Sequence, residues 1–158
     1  MASMRFVLLA LVVLGAGGCA KHGVDAVKAM RARACAGDAA GFFDHVDRQE
    51  MIRLIRAQAE QKAEVAFADL DPVARAAKRE NFRAHVDSSI TTSVNDTFTV
   101  WAYDIKQGST SDLCGMSIME SSEVDGAVDV HVRSLAAGDR HWRMTRHEDR
   151  WLLAGVGP

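Results

Sequence analysis

Six histidines and 21 acidic residues are the groups from which this 158-residue chain could build a metal site or an acid–base centre. A bound ion needs ligands that converge, from one helix face, one strand face or a Cys-x-x-Cys turn. No His-Glu-x-x-His, His-x-His or Cys-x-x-Cys occurs, and His141 and His147 share strand parity but stand too far apart to chelate one ion. Neither a metal nor another cofactor is expected. Gly115-Met-Ser117-Ile-Met119 opens like a nucleophile elbow but lacks its second glycine and its strand-to-helix setting. A glycine-rich phosphate loop is absent too. Two acid–base groupings remain: Asp44, His45 and Asp47 at a helix junction, and His85 two residues before Asp87. Asp47 already has a cap to make, with Glu50 three residues on.

Cysteine chemistry is better marked. Met1 to Gly18 carries Arg5, an apolar run from Phe6 to Leu14 and a small-residue exit, the three-part layout of an export signal. That run is shorter than the ~20 residues a spanning helix needs. Ala16-Gly17-Gly18-Cys19 resembles the lipobox of bacterial lipoproteins, with Ala16 where that pattern prefers leucine. The resemblance implies cleavage before Cys19, acylation of Cys19, and a membrane held through those acyl chains. Two or more chains anchor stably, whereas one does not. Ala20, rather than an aspartate, leans by the same resemblance toward the outer membrane, facing the periplasm. Cleavage after Ala20 would instead release a freely exported protein. Either route places Cys35 and Cys114 in an oxidising compartment, where they form one disulfide or remain two separate buried thiols.

Positioning these groups falls to the elements. With 48% apolar residues and nearly balanced charge, 19 Lys+Arg against 21 Asp+Glu, the composition suits a single compact domain. A pI near 6.3 without a basic run argues against a dedicated nucleic-acid binder. The expected organisation is a signal peptide over 1–18, a lipid-anchor tether over 19–23 and one domain over 24–158. Val24 to Ala36 reads as a first helix stopped by Gly37, and Asp38 opens a short turn carrying Phe42 and Phe43 as core anchors. Asp47 starts a long helix with its stripe at Met51, Leu54, Ile55, Ala59, Ala63, Ala66, Phe67 and Leu70. Asp71-Pro72 caps a third helix to about Ser89. Strands are expected over Thr97–Tyr103, Met116–Val124, Ala127–Leu135, His141–His147 and Trp151–Val156, with Asp125-Gly126 as a hairpin turn. Val128, Val130 and Val132 should share one face, Asp129, His131 and Arg133 the other. The sum is an α+β fold, three N-terminal helices packed on a curved antiparallel sheet of about five strands.

That order, with the Ala36-Gly37-Asp38 junction, Phe42-Phe43 and the closing strands from Trp142 to Leu153, resembles the NTF2-like superfamily and its small exported bacterial members. The resemblance implies a cone-shaped domain with a cavity. Some enzymes of that shape use an aspartate base and a tyrosine donor, which here would be the single tyrosine, Tyr103, with Asp129 or His131. No spacing ties Tyr103 to either. The expectation is therefore a lipid-anchored cell-envelope protein with a non-catalytic domain that binds a small apolar ligand or an envelope partner. The alternatives are an isomerase- or lyase-type enzyme with the cone as active site, and a structural subunit showing a large apolar patch.

Overall fold

A computed structural model describes residues 16–157, with side chains from Ala20 onward. Helices α1 (Ala16–Cys35), α2 (Ala39–Phe43), α3 (Arg48–Ala66), α4 (Pro72–Ile105) and α5 (Asp112–Gly115) come first. Strands β1 (Ser117–Val124), β2 (Ala127–Ser134), β3 (Gly138–His147) and β4 (Arg150–Gly157) follow as one antiparallel sheet in the order β1-β2-β3-β4. Most of residues 1–18 lie outside the described range, and so does the side chain of Cys19. The segment expected as a tether, 19–23, runs as part of α1.

Each junction follows from its residues. Gly37, at φ +71°, ends α1 with its N–H donating to the Ala34 carbonyl, while the Asp38 N–H reaches that of Arg33. The Asp38 carboxylate then caps α2 through the Gly41 N–H, Asp47 caps α3 through the Glu50 N–H, and Asp71 caps α4 through Val73 and Ala74. The tight β1–β2 turn puts both Asp125 (φ 52°) and Gly126 (φ 74°) in the left-handed region, as expected of an Asp-Gly hairpin.

Several expectations are corrected, the helices among them: five precede the sheet rather than three, and the one opened by Asp71-Pro72 runs well past Ser89. Thr97–Tyr103 is not a strand: it is the C-terminal third of α4, a helix of 34 residues. The sheet among the described residues therefore has four strands rather than five. The reason lies in side-chain bonding and packing. Thr97 and Thr99 donate their hydroxyls to the carbonyls of Ser93 and Asn95, four residues back, so helical backbone suits both. Ile90, Val94, Phe98, Trp101 and Ile105 meanwhile fall on one helical face and enter the core. Helix α3 also stops at Ala66, short of the expected Leu70.

The sheet has a covered face and an outer face. Val128, Val130 and Val132 are buried under α1, whose Val27, Met30 and Ala34 are fully buried in turn. A methyl placed on Gly23 would lie 2.8 Å from Val128 Cβ, so α1 crosses the sheet at a distance only glycine permits. Residues 45–47 run beside β4, where the Leu153 N–H donates to the His45 carbonyl and the Asp47 N–H to that of Leu153. This strap covers the free edge of β4. Cys35 and Cys114 are joined by a disulfide, Cα–Cα 4.6 Å, which fastens the end of α1 to α5 at the root of β1. Among the described residues no helix is long and apolar enough to cross a membrane.

Candidate functional site

Between the C-terminal half of α4 and the covered face of the sheet lies an open cleft of about 510 Å³. Its size falls within the range of small-molecule sites. Helix α3 supplies Met51 and Ile55, α4 supplies Val94, Thr97 and Trp101, and Val132, Trp142 and Val156 line the sheet side. The floor is aromatic. Phe42 meets Trp101 and Trp142 edge-on at 5.8 and 6.4 Å between ring centroids, and Trp101 lies 6.0 Å from Trp142. Phe98 stacks on Trp101 at 5.8 Å. Such contacts lock the ring orientations and give the cleft a fixed wall.

Three ionisable residues border this apolar surface. Asp104, near the end of α4, accepts the Ser111 hydroxyl at 2.7 Å and the N–H groups of Asp112 and Leu113 at 2.9 and 3.0 Å. Partial burial would raise its pKa, but those three donors outweigh that and hold the carboxyl below its ordinary value. Asp112 accepts the Ala136 N–H at 3.0 Å and so ties α5 to the β2–β3 turn. Arg140 differs from both. It shares the covered face of β3 with Trp142, stands opposite Val132 of β2, and donates only to the neighbouring Asp139 carbonyl, at 2.9 Å. No carboxylate among the described residues pairs with it.

The residues singled out in the sequence are dispersed. Tyr103 projects from the outer side of α4, 72% exposed, away from the cleft. Asp129 and His131 stand on the outer face of the sheet. There Asp129 pairs with Arg143 at 3.6 Å, and His131 lies between Asp139 at 2.9 Å and Glu120 at 3.7 Å while stacking on His141. Arg133, then His131, hold the Asp139 carboxyl below its usual range. The structure therefore does not bring Tyr103 to either proposed partner. At the helix junction, His45 Nδ1 sits 2.9 Å from the Gly41 carbonyl, Asp47 is the α3 cap, and the carbonyl of Asp44 accepts from Arg150. His85 contacts the Asn81 carbonyl, and Asp87 instead pairs with Arg56 at 2.8 Å. Ser117 is an exposed residue at the start of β1. Among the described residues no group of histidine, cysteine and acidic side chains is arranged to hold a metal.

Asp104 and Arg140 were missed by sequence reasoning. Arg140 left a signal, since it shares strand parity with Trp142 and Met144 and so belongs on the buried face. Asp104 left none once its segment was read as following a strand. Comparison with protein-family models, with curated proteins and with solved structures finds no match.

Proposed function

We propose that the chain is an exported cell-envelope protein, anchored through acyl chains on Cys19, whose NTF2-like domain binds a small apolar ligand without transforming it. The observation that carries the reading is the cleft: apolar walls, an aromatic floor, and ionic groups kept to its border. Its two acids are engaged by backbone N–H groups, the role of structural caps rather than of a general base waiting for a proton. Helices on one face of an antiparallel sheet, with a cavity between the layers, also suit the NTF2-like cone.

Two measurements test it. Trp101 and Trp142 border the cleft, so a neutral apolar probe such as N-phenyl-1-naphthylamine should quench tryptophan emission saturably. Thr97→Trp, which fills the cleft from α4, should weaken that binding at least tenfold while leaving the far-UV circular dichroism unchanged. Unaltered affinity in this variant would remove the cleft as the site. Intact mass of the protein from its native membrane fraction should show a chain beginning at Cys19 with added acyl mass. A chain beginning at Lys21 in the soluble fraction would refute the anchor.

A further inference from the structure

Arg140 is in an unusual place for its chemistry. Alternation along β3 puts positions 140, 142 and 144 on the covered face, where Trp142 and Met144 are buried and Arg140 is half-buried. Its cross-strand neighbour is Val132, another buried apolar residue. Inward charges sometimes protect a sheet edge from pairing with other chains. That explanation has little to protect here, because β3 is paired with β2 at Arg140 and with β4 from His141 onward. Nor does Arg140 complete an ion pair or a capping network; its one contact is the carbonyl of the residue before it. A guanidinium has five donors in a fixed fork and keeps its charge at any ordinary pH. Four of those donors have no protein acceptor among the described residues, and the group borders the cleft.

The two acids on the same border are occupied differently. Asp104 is satisfied by three donors and Asp112 by the Ala136 N–H, so each already serves the loops that shape the cleft. Among the described residues Arg140 is the one ionic group of the border that has no counter-group.

We infer that the ligand is an anionic amphiphile, an apolar chain ending in a carboxylate or similar oxyanion. Its tail lies against the aromatic floor and its head group pairs with Arg140. The inference rests on the proposed use of the cleft as a binding site and adds the chemical class of what enters it. An arginine–carboxylate pair beside apolar walls is screened less than one in open solvent, so the head group adds affinity and also fixes which end of the ligand faces out.

Three ligands of equal chain length separate the possibilities: decanoate, 1-decanol and decylammonium, each titrated below its micellar concentration into the full chain with tryptophan emission as readout. Decanoate should bind about tenfold more tightly than decanol, and decylammonium more weakly than either. Arg140→Gln should bring decanoate down to the level of decanol and leave decanol itself unchanged, which also reports that the cleft is intact. Arg140→Lys, which retains the charge, should keep most of the preference. Equal binding of decanoate and decanol to the unaltered protein would overturn the head-group assignment while leaving the cleft a ligand site. So would a preference that survives Arg140→Gln. Tighter binding of decylammonium would overturn it too and transfer selectivity to Asp104 and Asp112. Failure of all three to bind would remove both this inference and the reading beneath it.

Discussion

At Asp104 a single carboxylate organises the segment between α4 and the sheet. Replacing it by alanine would strand the N–H groups of Asp112 and Leu113 and the Ser111 hydroxyl at once. A loss of about 1–3 kcal/mol is expected, measured by urea unfolding at neutral pH. The pH dependence has a definite sign. The folded pKa is lowered, so the contribution is fully present above the unfolded value of about 3.9 and disappears as pH falls toward the folded one. Asp104→Asn should therefore be less stable than the parent at pH 7, with the difference shrinking below about pH 4; a gap constant down to pH 2 would contradict this linkage. Gly23 is the second informative position. A side chain there meets Val128 Cβ and Cγ1 at 2.8 Å, both on a packed strand, so Gly23→Ala should destabilise by about 1–3 kcal/mol despite alanine's better helix propensity. A rise in melting temperature would mean that α1 lifts off the sheet at little cost. Neither position could be found by composition. Gly23 reads as an ordinary glycine before a helix, and its role depends on a strand about one hundred residues away.

Among the elements, α3 and α4 are two helices with unequal halves. Met51 at one end and Ile90 onward at the other are buried in the body, while no side chain from Ile52 to Ser89 is fully buried. That stretch is a helical hairpin, held by a half-buried seam including Ala59, Ala63, Phe67, Phe82 and Val86 and by the ion pairs Arg56–Asp87 and Glu64–Arg79. Exposed pairs of this kind add little. Native-state amide exchange should therefore be faster over residues 57–88 than over 90–105 at the end of α4, and uniform protection along α4 would refute a locally opening hairpin. These elements also show which parts of the fold are written locally. Caps at Asp38, Asp47 and Asp71 and the Asp125-Gly126 turn act within a few residues, so their sequence reading holds. The segment from Ile90 to Ile105 misleads because threonine, valine, phenylalanine and tryptophan favour strands on average, whereas its apolar positions recur at helical spacing. Burial of that stripe decided the outcome, and burial is a property of what packs against it. The cleft was hidden for the same reason: about a third of its wall belongs to the misread segment.

On the scale of the whole molecule, two long-range closures hold the layers together. The Cys35–Cys114 bridge spans a separation of 79 residues, for which the chain-entropy model gives about 4 kcal/mol and practice often less. Replacing both cysteines by serine should lower stability by about 2–4 kcal/mol in oxidising buffer. In strong reductant the parent should fall to the level of the variant, and an unchanged urea midpoint would show that the surrounding packing alone sets the geometry. The second closure is the strap at residues 45–47, which pairs with Leu153 more than one hundred residues further along the chain. Strand β4 is flanked by this strap and by β3, and Leu153 and Ala154 in it are fully buried. In chain order the helices precede all four strands, so the surface that α1 covers forms only once the strands have followed. The contacts of α1 with β2 join residues about one hundred positions apart, and such long-range pairings close slowly because loop entropy is lost before burial repays it.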